Sequence, residues 1–312
     1  MRRTGSFILL LALLGSSCAQ KEKLRIPASS DPKNTKLETP PETWQEHWFE
    51  HKELVKRVYY NDEVAVYYDD DTPRDISWPW RKANDAWKYV KKTYGNFGED
   101  PRLYVVLHTG KLSGGHPASY FDASHDNRNM VDLGSTSWRD STGWNLDAYI
   151  HEIGHIVEGA SHGVKGSPAF GIWRDSKWME IFNYDVYVNL GWKKEAESVY
   201  QSCMATKDNF PRPNTTWFKD WFYPIYQNYG QRVVLQRFFT LLAANFPQKD
   251  IALGKEYTRG MNYGEFIHFW SGAAKTDLKA LALQAFGDKD DRGNSWLSQL
   301  EKAKTDFPAI KY

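Results

Sequence analysis

The sequence predicts an α+β fold, a small mixed sheet followed by a mainly helical C-terminal half. Three observations carry this expectation. β-branched and aromatic runs broken by turn residues crowd the stretch from Leu54 to Leu133. Helical periodicity takes over after Gly143 and continues almost to the end. An H-E-x-x-H sequence, His151 to His155, sits where the first pattern gives way to the second. Strands first and helices later is the α+β order.

Residues 1–17 read as a secretory signal peptide. Arg2 and Arg3 are followed by the apolar run Phe7–Leu14 and then by small residues. That run is too short to cross a bilayer, which takes about 20 apolar residues. Gly15, Ser16 and Ser17 lead into Cys18, an order similar to a bacterial lipobox, which would make Cys18 the lipidated first residue of the mature chain. The departure is Gly15, where Leu is usual, and plain secretion is the competing reading. Residues 18–42 are polar and rich in Pro, as expected of a flexible tether.

The body follows as a strand-rich part, 43–143, and a helical part, 144–312. Leu54–Tyr60 and Val64–Tyr68 read as two strands joined by the turn Asn61-Asp62-Glu63. Ser77–Tyr94 has helical spacing and stops at Gly95. Leu103–Leu107 reads as a buried strand, and Ala118–Ser124 and Asn129–Leu133 as further strands. Helices are expected over Trp144–Val157, Lys177–Leu190, Trp217–Tyr229, Gln231–Phe246, Tyr263–Lys275 and Asp277–Phe286. Cys203 falls in another helical stretch, KKEAESVYQSCMAT, and reads as a packed apolar residue.

Composition narrows the function. With 40 Lys and Arg against 39 Asp and Glu, no global basic field exists for nucleic acid to follow. Loss of Arg2 and Arg3 with the signal peptide leaves 38 against 39. Besides Cys18, Cys203 is the only cysteine, so no internal disulfide is expected. The 14 Trp fit either an aromatic core or exposed rings that stack on sugars.

The motif carries the chemistry. On a helix, His151 and His155 lie one turn apart on one face, so both imidazoles can bind one Zn2+ at about 2.0–2.1 Å. Glu152 between them is placed to act as general base toward a zinc-activated water. Leu146, Tyr149, Ile150, Ile153 and Val157 form an apolar stripe around the motif, and Gly154 leaves room for another backbone to approach. A third protein ligand is expected, with Glu180, His162 and Asp185 as candidates. His162 lies seven residues past His155, about 10.5 Å along a continued helix, so it needs a break at Gly159. Glu180, in KWMEIFNYDVYVNL, could face the first helix after the Gly-rich loop turns the chain back.

The segments WNLDAYIHEIGHIVEG and WMEIFNYDVYV resemble the active-site helix and the Glu-bearing helix of gluzincin zinc metallopeptidases, especially bacterial secreted ones of the enhancin and mucin-degrading type. There is a looser likeness to the basic secretory protein peptidases of plants and bacteria. The resemblance implies His151, His155 and Glu180 as zinc ligands and Glu152 as catalytic residue. It departs at Tyr184, where many gluzincins have an Asp that orients a ligand His; here the Asp is Asp185, about 140° round the helix from Glu180. Asn183 or Tyr184 would have to replace it. The resemblance also implies an edge strand that pairs with extended substrate, with Ala118–Ser124 or Asn129–Leu133 as candidates. His108, His116 and His125 read as surface residues.

The expectation is a zinc metallopeptidase acting on extracytoplasmic proteins or glycoproteins, monomeric, in a bacterial cell envelope by its lipid anchor or secreted. The alternative is a non-enzymatic surface lipoprotein that binds glycan or protein around a structural or vestigial zinc.

Overall fold

The computed structural model describes residues 37–312. The signal peptide, Cys18 and most of the expected tether lie outside the described residues. Residues 39–312 form one compact unit of α+β architecture. Among the described residues no helix is long and apolar enough to cross a membrane.

The main sheet begins with β1 (Thr43–Gln45), β2 (Leu54–Tyr60) and β3 (Val64–Tyr68). Asn61 makes the β2–β3 turn, its Oδ1 accepting from the N–H groups of Glu63 and Val64 at 2.8 and 2.9 Å. Helix α1 (Trp78–Tyr94) then crosses over to β4 (Leu103–Thr109), which runs parallel to β3. A parallel pair requires such a crossover. β5 (Gly114–Ala118) and β6 (Asn129–Ser135) complete the order β1-β2-β3-β4-β6-β5. β6 is parallel to β4, whereas β5 is antiparallel to β6 and forms the sheet edge.

Ala118–Ser124 is not a strand beyond Ala118. Asp122 Oδ2 accepts from the Ser119 N–H and hydroxyl at 2.7 and 2.9 Å, which turns the chain into a 3-10 helix over Ala123–His125. Asn129–Ser135 is a strand, but an interior one. The edge is instead Gly114–Ala118, whose sequence GGHPA shows no apolar alternation.

The two faces of the sheet have different partners. Val64, Val66, Leu103, Val105, Val131 and Leu133 join the main helical core. Ala65, Tyr67, Tyr104, Val106 and Met130 point the other way, under Trp44, Trp48 and Val55. Near the start of the described residues, the Tyr67 hydroxyl donates to the Pro41 carbonyl at 2.9 Å on this second face.

The second half opens with α2 (Trp144–Ala160), followed by β7 (Val164–Lys165), α3 (Phe170–Trp173), α4 (Lys177–Leu190) and α5 (Lys193–Ala205). Then come α6 (Tyr223–Asn228), α7 (Arg232–Asn245), the hairpin β8 (Gln248–Ile251) and β9 (Gly254–Tyr257), α8 (Tyr263–Ala274), α9 (Lys279–Phe286) and α10 (Trp296–Asp306). The hairpin and β7 make a small second sheet. The helix expected over Trp217–Tyr229 is two pieces, a π-helical turn at Phe218–Phe222 and then α6. Pro224 has no N–H to give the preceding turn, and a wide π turn accommodates it.

The Trp excess belongs largely to the core. Eight Trp side chains, Trp173, Trp178, Trp221 and Trp270 among them, are essentially solvent-free, and Trp144 is a half-exposed exception. Cys203 is partly buried, and burial pushes its thiol up to about 12, so it is an unreactive packed residue.

Candidate metal centre

Helix α2 lies between the β5–β6 edge of the sheet and α4. Its apolar stripe is fully buried as expected. Gly154 is the contact point with α4, because a Cβ there would stand 2.4 Å from Met179 Sδ and 2.8 Å from Phe182 Cδ1. The close neighbours are thus side chains of the facing helix rather than its backbone.

His151 and His155 present their Nε2 atoms 3.2 Å apart. Two ligands on one tetrahedral Zn2+ at 2.0–2.1 Å are separated by about 3.3–3.4 Å, so the spacing fits a shared metal. Asp175 closes a triangle, with Oδ1 3.3 Å from His155 Nε2 and Oδ2 3.8 Å from His151 Nε2. Among the described residues, His151, His155 and Asp175 form one of two groups whose ligand atoms could hold a metal ion.

None of the three third-ligand candidates from the sequence, Glu180, His162 and Asp185, belongs to this triangle. Glu180 is on the facing helix, in a pocket it shares with His151, Met179 and Asn183, but its carboxylate is ion-paired with Lys177. Lys177 in turn reaches Asp208 at 2.7 Å. His162 sits in a left-handed turn at φ 57°, its Nε2 3.5 Å from the Thr240 hydroxyl. Asp185 is fully buried, accepting from the Tyr89 hydroxyl at 2.5 Å and from Asn189 Nδ2 at 2.9 Å. Tyr184 packs among Tyr200, Phe218 and Tyr226, and Asn183 donates to the Asp147 carbonyl at 3.0 Å. Neither orients a motif histidine.

That orienting role falls to Glu158. Its Oε2 lies 3.2 Å from His155 Nδ1, while Oε1 accepts from Ser167 Oγ at 2.6 Å and Trp173 Nε1 at 2.5 Å. A carboxylate on Nδ1 fixes the ring and leaves Nε2 free for a metal. Glu158 is three residues after His155, a spacing that puts both on one helix face, so this signal was present in the sequence. Asp175 had none, since it lies in an irregular turn after Arg174 at φ 54°.

Burial lowers His151 to about 4 and so keeps it neutral. Burial works the same way on His155, but the hydrogen bonds that the ring donates to the Asp175 and Glu158 carboxylates outweigh it and raise that ring to about 9. Glu152, buried against β5, is raised by burial to about 7. Its neighbour there is Gly115, where a Cβ would stand 2.9 Å from Glu152 Oε1. A cleft between the end of β5 and α2 is lined by Pro117, Ala118, His155 and Gly159.

The second group, Glu46, His51, His108 and Asp132, is buried on the far face of the sheet and could also hold a metal ion. His108 and His125 are therefore interior residues rather than surface ones, and His116 is largely buried beside them. Strand alternation turns His108 on β4, His116 on β5 and Asp132 on β6 away from α2.

No protein-family model and no curated protein matches the chain. Two solved structures from Bacillus anthracis str. Ames do, a functionally unknown conserved protein and a mutant described in the same words. The first is 12% identical over 78% of this chain and 50% of that one, at a TM-score of 0.49. The second is 11% identical over 80% and 52%, at 0.50. The chain spans about half the length of these structures, and the second likeness is one of fold alone.

Proposed function

We propose that this chain is a zinc-dependent peptidase acting on proteins or glycoproteins outside the cytoplasm. The observation that carries the reading is the triangle of His151, His155 and Asp175 with Glu152 buried beside an edge strand. His151 and His155 would hold the metal from one face of α2, with Glu158 against the other nitrogen of the His155 ring. A bound Zn2+ supplies Lewis acidity and brings the pKa of a water toward about 7. Glu152 takes the proton from the attacking water at its carboxylate and returns it to the leaving amine.

Two carboxylates compete for the third ligand position. Asp175 is the nearer, with one carboxylate oxygen 3.3 Å from His155 Nε2 and the other 3.8 Å from His151 Nε2. Glu180 has the helix-borne position and the resemblance, and it shares a pocket wall with His151. An extended peptide would add to β5, whose outer side is unpaired. Pro117 lacks an N–H, so the usable donors lie toward Gly114–His116.

The test is hydrolysis of a mixed peptide library by zinc-loaded protein, read by mass spectrometry. Wild type should cut and Glu152→Gln should keep its zinc while losing nearly all cutting. A zinc-loaded wild type that leaves every peptide intact removes the peptidase and favours the non-enzymatic binding reading. The basic, apolar N-terminus ahead of Cys18 supports an envelope lipid anchor. Cys18→Ser should then move the protein from the membrane fraction to the soluble one, and a variant still in membranes removes the anchor.

A further inference from the structure

The far face of the sheet carries a polar cluster inside an otherwise apolar layer. Glu46 and His51 come from the segment between β1 and β2, His108 from β4 and Asp132 from β6. His108 and Asp132 are on neighbouring parallel strands, where His108 aligns with Gly134 and Asp132 lies two residues back on the same face. Glu46, His108 and Asp132 are at most 1% exposed and His51 9%.

Buried polar atoms need partners, and here they converge on one point. His108 Nε2 is 2.8 Å from Glu46 Oε1 and 3.2 Å from Asp132 Oδ1. His51 Nδ1 is 2.7 Å from Asp132 Oδ2 and 3.9 Å from Glu46 Oε1. A proton on either ring satisfies only part of this set. His51 Nδ1 and Asp132 Oδ1 have no hydrogen-bond partner of acceptable geometry, and neither does His116 Nε2, 3.8 Å from Asp132 Oδ2. Each such orphan is destabilising when buried, because the water it gave up is not replaced. One cation at the centre would engage the four groups together.

The surroundings hold the cluster in that posture. His108 Nδ1 faces Asp69 Oδ2 at 3.3 Å, which aims Nε2 at the centre. Asp69 is itself held by the Thr72 and Asp71 N–H groups at 2.8 and 3.1 Å. Trp48 Nε1 donates to Asp132 Oδ2 at 2.8 Å and closes the top. This is the carboxylate–histidine support found behind metal ligands. Two imidazoles with two carboxylates suit zinc better than magnesium or calcium, which take oxygen.

We propose that Glu46, His51, His108 and Asp132 bind a second, structural zinc ion that clasps the segment Thr43–Glu53 to the back of the sheet. The site is closed by protein, unlike the cleft beside α2, and it stands independently of the peptidase reading. The metal would tie two central strands to the N-terminal segment.

The test counts zinc per full-length chain by elemental analysis after desalting. Wild type should hold two and the His151→Ala/His155→Ala variant one. Adding His51→Ala to that variant should remove the last. His51 is the least buried of the four, and circular dichroism checks that each variant is folded. As a second measurement, zinc added to the stripped double-histidine variant should raise its melting temperature by several degrees, as saturating a site selective for the folded state does. A folded double variant with no zinc and no zinc-dependent melting shift overturns the clasp and leaves the α2 site standing. Retention of all wild-type zinc in the double variant supports the clasp and counts against the α2 site.

Discussion

Glu158 stands three residues beyond His155 and meets its Nδ1 at 3.2 Å, so one helix supplies the ring proposed to hold the metal, the proposed base Glu152 and the carboxylate against the ring's other nitrogen. Glu158→Gln should keep the Trp173 and Ser167 contacts and lose the charge. Zinc affinity should fall roughly 10–100-fold, the usual effect of removing such a support. Competition with a chelator measures it, and an unchanged affinity would refute the orienting role.

Gly115 sets the position of Glu152. Its backbone is unstrained, but a Cβ would stand 2.6 Å from Leu133 Cδ2 and 2.8 Å from Glu152 Cγ. Gly115→Ala should push the carboxylate aside, with zinc retained and peptide cleavage reduced toward the roughly 10²–10⁴-fold worth of a general base. Full activity in this variant would show that Glu152 does not need β5.

The third ligand is decided by ranking zinc affinities. Asp175→Asn should weaken binding most if the observed triangle is the working site. Should Glu180→Gln weaken it more, the metal draws Glu180 away from Lys177 and Asp175 is a bystander. His162→Ala should leave affinity unchanged in either case, because that ring lies against Thr240.

Asp185 gives a pH dependence separable from the metal. Burial raises its carboxyl to about 6, with the hydrogen bonds from Tyr89 and Tyr226 acting the other way. The folded state therefore binds this proton more tightly than the unfolded chain. Its contribution is present below about pH 4 and is lost as pH rises through about 6. Asp185→Asn should remove that fall, on the order of 2–3 kcal/mol across the window. Denaturant titrations of both proteins at pH 4 and pH 7 measure it, and parallel behaviour would exclude Asp185 as the source.

Local periodicity made much of the fold readable. The i, i+4 histidines, the stripe from Leu146 to Val157 and the runs at Val64 and Leu103 all express a spacing that one element enforces by itself. Gly114–Ala118 escaped because its strand character comes from pairing with β6, and Ala118–Ser124 misled because Asp122 captures the Ser119 N–H. Asp175 escaped because an irregular turn has no period. The second cluster is a product of register, since nothing in the sequence says that His108 and Asp132 share a face until β4 and β6 are aligned.

The polar contacts of Glu46 and Trp48 also order events in time. Glu46 meets His108 across 62 residues and Trp48 meets Asp132 across 84. Closing such long loops is entropically costly, and the partner side chains do not stand together until β4 and β6 have zipped. Chain growth runs from the N-terminus, so this segment is synthesised early and seated late. The surface it will cover, Tyr67, Tyr104 and Val106, stays open to solvent and to other chains throughout that interval.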